Sequence, residues 1–133
     1  MSLLLALLLQ SAAPVASIAP MQQRDIDCVA SFGLIAFQQA QDAPGADRLP
    51  AMAAPGKTYA GLVGTRLLEE TGLPRDVIAS AIAESARAQS AQTGLEDPMA
   101  FLGQRYAQCA PLMAAEIAAG GDLPLPLPVP QGR

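Results

Sequence analysis

Cys28 and Cys109 are the side chains whose chemistry is simplest to name, and the chain has no other cysteine. They form no CxxC motif, and a metal site needs more ligands than two thiolates. In an oxidising compartment two such residues pair. The loop they would close spans about 80 residues, and chain entropy assigns such a cross-link roughly 4.5 kcal/mol. That is comparable to the whole stability of a small domain. A reactive thiol is the rival reading. Asp27 stands directly before Cys28 and disfavours a thiolate there, while Arg105, one turn before Cys109, pulls the other way. The expected role is therefore a structural disulfide, Cys28 to Cys109.

Histidine is absent. This removes the commonest general base, the commonest metal ligand and the usual activator of a serine or cysteine nucleophile. Ser80, Ser85 and Ser90 recur every five residues, which spreads them around a helix with no activating base. Glu69, Glu70, Glu84, Glu96, Asp97 and Glu116 are the main helical carboxylates. A glycosidase needs two of them converging in a cleft, and solvated helix faces are the simpler reading. Gly61 and Gly64 match neither nucleotide-binding fingerprint. Close helix packing around Tyr59 is their expected use. No catalytic residue, cofactor site or metal site is expected, and the chain reads as a non-enzyme.

Two stretches stand out, Tyr59–Arg66 (YAGLVGTR) and Phe101–Tyr106 (FLGQRY). Each combines an aromatic residue, a glycine and an arginine. Tyr59, Arg66, Arg105 and Tyr106 could converge on a carboxylate or phosphate. The alternative is a tyrosine-capped core whose edge the arginines cover.

These residues need helices to hold them. Alanine accounts for much of the apolar content, aromatics are 4% and Trp is absent, which favours close-packed helices over sheets. Four segments follow from periodicity. The first runs over 22–41, with Ile26, Val29, Gly33 and Phe37 on one stripe and Cys28, Phe32 and Ile35 beside it. Asp25 and Asp27 would suit its positive end. A connector over 42–56 holds three prolines and two glycines. The second helix starts at Lys57 or Thr58 and ends at Glu70, with Tyr59, Leu62, Val63 and Leu67 inward and Gly72 as its stop.

The third begins at Pro74 and carries Val77, Ile78, Ala81, Ile82 and Ser85 on its inner face. The short link between the second and third helices predicts an antiparallel hairpin. The fourth opens with Asp97 as N-cap and Pro98 in first place. Met99, Leu102, Tyr106, Cys109, Met113 and Ile117 give it the strongest periodicity in the chain. Pro111 predicts a kink or a short break around 108–110. The expected fold is all-α, a small bundle of about four helices over 22–119. Its first and last helices are joined by the disulfide.

The two ends differ from this domain. Leu3–Leu9 reads LLLALLL and is followed by small residues, the pattern of a signal peptide and far short of a bilayer span. Pro14 and Pro20 argue against cuts directly before them, which leaves cleavage after Ala16 or Ser17, a leader of 1–17. The usual basic start is missing. An uncleaved leader would be the one route to a membrane. At the other end, residues 120–133 include LPLPLPVP, which suits polyproline II and reads as a flexible tail.

The formal net charge is −4, and the eight basic residues are scattered among twelve acids, so nucleic acid is not an expected partner. The reading that results is an exported, non-enzymatic helical protein, periplasmic or secreted, that binds another protein of the envelope. The alternative is a binder of a small anionic ligand through Tyr59, Arg66, Arg105 and Tyr106. The layout, an exported helical domain with one long-range disulfide, is similar to that of acid-protective periplasmic chaperones and immunity-type periplasmic proteins. That likeness is of layout only and implies no residue roles.

Overall fold

The computed structural model describes residues 17–94 and 97–120. The expected leader, apart from Ser17, and the proline-rich segment after Gly120 lie outside the described residues. Among the described residues the regular structure is helical: α1 (Pro20–Ala40), α2 (Ala53–Thr71), α3 (Arg75–Thr93) and α4 (Pro98–Gly120), with one 3₁₀ turn at Ala46–Arg48. The expected all-α bundle of four helices is the observed fold. Cys28 and Cys109 are disulfide-bonded and join α1 to α4.

Helix α1 is the central element and packs against each of the other three. Its Ile26, Cys28, Val29, Phe32 and Ile35 meet Tyr59, Val63 and Leu67 of α2, Ile78 of α3, and Leu102 and Cys109 of α4. Full burial of each large apolar side chain contributes about 1.5–3 kcal/mol before ordering entropy is subtracted. Phe32 is the pivot. The rings of Tyr59 and Tyr106 both meet it edge to face, at centroid distances of 5.4 and 6.4 Å. Such pairs add about 0.5–1.5 kcal/mol beyond burial.

The stripe expected on α1 is corrected at its far end. Phe37 is 54% exposed and Gly33 is exposed too. Ile35 and Gln39 share the inward face there, and Phe37 lies half a turn away from both. On α3, Val77 is likewise exposed, and Ile78 carries the contact.

Several helix ends also differ from expectation. Helix α1 starts at Pro20, a favoured first residue, and the Ala19 N–H donates to Gln22 Oε1 at 2.9 Å. Asp25 and Asp27 therefore lie beyond the first turn and do not serve the helix dipole. They make side-chain contacts with other helices. Helix α2 starts at Ala53, four residues before the expected Lys57, and takes Pro55 and Gly56 into its first turn. Proline is tolerated there because the first N–H groups have no partner within the helix.

A Cβ at Gly56 would stand 3.4 Å from that of Phe32, so the bare backbone brings α2 against α1. Gly61 and Gly64 do not have this role, since open space surrounds both. Gly72 stops α2 with φ 67°, the left-handed conformation expected of it.

Asp97 caps α4, accepting the Met99 N–H at 3.1 Å on Oδ1. The break expected near 108–110 is absent, and α4 continues through Pro111 as one helix. Pro111 faces solvent, while Cys109, Leu112 and Met113 on either side of it are held by the core.

The expected connector is shorter than 42–56, and it is tied down. Gln39 Nε2 donates to the carbonyls of Ala46, Leu49 and Pro50 at 3.2, 3.3 and 2.9 Å. Its Oε1 accepts the Met52 N–H at 2.9 Å. Ala46 and Met52 are buried as a result.

Candidate functional site

Two polar clusters flank the core. The first is built on Arg66 of α2. Its Nε donates to Glu116 of α4 at 2.8 Å, its Nη1 to Glu70 at 2.7 Å, and its Nη2 to Asp25 of α1 at 2.8 Å. Asp25 also takes a 3.0 Å contact from Arg24. One guanidinium thus links three helices. Bonding to Glu116, chiefly, raises the Arg66 pKa above its ordinary value, against the lowering effect of burial. Tyr59 is buried nearby, and its pKa is pushed up to about 12. Burial is the largest cause, followed by the negative charges of Asp25 and Glu116.

The second cluster lies under an open groove of about 710 Å³ between α1, α3 and α4. Its floor is a chain of hydrogen bonds. Ser85 Oγ donates to Asp27 Oδ1 at 2.6 Å, and Gln23 Nε2 donates to the same oxygen at 2.9 Å. Gln89 Nε2 donates to the Asp27 carbonyl and to Ser85 Oγ, each at 3.0 Å. Ser31 Oγ donates to Gln89 Oε1 at 2.6 Å and accepts from Arg105 Nε at 3.1 Å. Arg105 continues to Gln108 at 2.7 Å and reaches within 3.6 Å of the Cys109 sulfur. Every buried side-chain nitrogen and oxygen among the described residues has a partner. Glu84 and Gln92 stand on the rim, and Ile18, Ala81, Ala88 and Phe101 give the walls an apolar part.

The pair of Ser85 and Asp27 has the outline of an activated hydroxyl. A carboxylate is a weak base for a serine proton compared with an imidazole. The pair orders the groove floor by fixing α3 on α1.

The four residues expected to converge on an anion are distributed as follows. Tyr59 and Tyr106 share Phe32 in the core. Arg66 lines a hollow with Arg24, Asp25, Glu70 and Glu116, where its donors already face carboxylates of the same chain. Arg105 lines the α1–α3–α4 groove. The two arginines therefore face different hollows.

Sequence reasoning missed Ser31, Gln89 and Gln39. A signal for the first two exists. Asp27 and Ser31, like Ser85 and Gln89, are polar pairs four residues apart on apolar helix faces, and such pairs stack on one side.

No helix among the described residues is long and apolar enough to cross a membrane. No group of three or more potential metal ligands (His, Cys, Asp, Glu) occurs among them either. Compared with known proteins, the chain matches no family model, no curated relative and no solved structure.

Proposed function

We propose that this protein is a non-enzymatic binding factor of the bacterial envelope, periplasmic or secreted. It holds an extended segment of another protein in the groove between α1, α3 and α4. The observation that carries this reading is the groove floor. Ser31, Ser85 and Gln89 are buried polar residues in a small domain, at positions where leucine or alanine would serve packing alone. Fully satisfied networks of this kind fix one arrangement of the helices around them.

The rim suits a peptide. Gln23 and Gln92 offer amide donors and acceptors, Asp27 and Glu84 accept, and Arg105 donates. Groups of both kinds can pair with the N–H and C=O groups of a peptide backbone. Phe101 and Ile18 offer apolar surface to its side chains. Export is supported by the leader pattern and by the disulfide, since such bonds persist in oxidising compartments. A small anion at Arg66 would have to compete with three carboxylates of the same chain, which makes that alternative the weaker reading.

Site-specific photo-crosslinking in the native host tests the proposal. A crosslinker at Gln92, on the groove rim, is expected to trap a discrete partner protein. One at Thr65, exposed on α2, is not. Equal yields from the two positions, or none from Gln92, would overturn it.

A further inference from the structure

We propose that export itself completes the groove, through hydrolysis of the peptide bond between Ser17 and Ile18. This inference rests on the export reading above and names the bond. Ile18 is partly buried, packs on the hydrophobic core and lines the groove beside Gln23 and Asp27. Ser17, one residue earlier, is exposed. Ala19, Pro20 and Met21 after it are exposed as well, so Ile18 is the packed residue of this stretch and the first whose loss would open the groove wall.

The neighbouring bonds are worse candidates. Ala19 is the N-cap of α1: its carbonyl accepts the Gln23 N–H at 2.8 Å, and its N–H is held by Gln22. Cutting after Ala19 would remove that cap and the Ile18 contact together, and would place Pro20 directly after the cut. Proteases bind a substrate as an added strand, using its backbone N–H groups. Proline lacks that donor and fits such a strand poorly. Pro14 would follow a cut after Ala13 directly, and would stand three residues before a cut after Ala16. The bond after Ser17 avoids both conflicts. It places Ser17 last and Val15 third from last, close to the small-residue pattern of signal cleavage.

The reaction balances simply. A signal peptidase of the host envelope adds one water. Ser17 leaves as the carboxyl end of the leader, and Ile18 acquires a free ammonium. That ammonium forms next to a groove whose charged side chains are Asp27, Glu84 and Arg105. The groove then carries two acids and two cations, in place of two acids and one cation.

Intact-mass spectrometry of the full chain, expressed with its own leader and recovered from the envelope fraction, tests this. The expected species begins at Ile18. Substituting Ser17→Leu is expected to remove that species and leave a heavier precursor. An exported chain beginning at any other residue overturns the assignment of the bond, and so does unchanged processing of S17L. An intact chain beginning at Met1 or Ser2 and confined to the cytosol would instead overturn the export reading on which it rests.

Discussion

Arg66 Nη2 lies 2.8 Å from Asp25 Oδ2, joining helices at positions 41 residues apart. The Asp25 side chain is only 8% exposed, against 35% for Arg66. The two partners therefore differ in what their loss would do. Removing Arg66 leaves Asp25 buried with Arg24 alone, and it frees Glu116 as well. Stranding a buried charge costs about 3–5 kcal/mol, and the partial exposure of Arg66 reduces this. Arg66→Met is expected to destabilise the fold by about 2–3 kcal/mol. Adding Asp25→Asn should recover part of that loss, because the stranded charge is gone. Urea unfolding of both variants measures it, and equal loss in the single and double variants would contradict the assignment.

Tyr59 gives the fold an alkaline limit. Its pKa is pushed up to about 12, whereas an unfolded tyrosine titrates near 10. Above pH 10 the unfolded chain releases this proton and the folded chain does not, so stability falls as pH rises. The contribution is fully present below pH 10 and is lost as pH approaches about 12. The slope reaches about 1.4 kcal/mol per pH unit. Tyr59→Phe should remove the slope at some cost in absolute stability. Unfolding midpoints between pH 9 and 12 check the sign, and tyrosinate absorbance checks the site.

The disulfide spans a sequence separation of 81 and ties α1 to α4. Cross-linking a loop of that length restricts the unfolded chain and raises its free energy by about 4.5 kcal/mol at 25 °C. Both cysteines are buried, so reduction should need prior opening. The unreduced, denatured protein is expected to show no free thiol. Cys28→Ala with Cys109→Ala should lower stability by about 3–4 kcal/mol, with some of the theoretical gain lost to residual structure in the unfolded chain. Because this approaches the whole stability of a small domain, the variant is expected to populate unfolded chain at 37 °C.

The parts of this fold that were legible in the sequence are those set by repetition. The α4 stripe of Leu102, Tyr106, Cys109 and Met113 repeats at steps of three and four, and one such repeat fixes one face. The disulfide followed from the same stripes. Chain ends of helices were less legible, because Pro55 and Gly56 read as loop residues until the close approach of α2 to Phe32 gives them a place. Pro111 misled in the opposite direction, since packing on both sides of it outweighs one lost hydrogen bond. The groove floor was hardest to read. Ser31 pairs with Gln89 across 58 residues, and no local pattern names a partner at that distance.

The same pairing allows a test that separates stability from function. Gln89 donates to the Asp27 carbonyl and Ser85 and accepts from Ser31. Gln89→Leu removes three hydrogen bonds, but Ser31 Oγ keeps the Asp27 carbonyl and Arg105, and Ser85 Oγ keeps Asp27 Oδ1, so the cost is about 1 kcal/mol. Replacing the whole set, Ser31→Ala, Ser85→Ala and Gln89→Leu together, also takes the Ser85 donor from the Asp27 carboxylate and the Ser31 acceptor from Arg105, and both charged groups stay behind. Leaving a charged group short of a partner costs more than losing a neutral pair. The triple variant is thus expected to be less stable than Gln89→Leu alone by about 1–2 kcal/mol in urea unfolding. The triple variant should lose the crosslink at Gln92, because the Ser85–Asp27 pair that fixes α3 on α1 is gone. A triple variant that keeps the crosslink would show that the network serves the fold and not the groove.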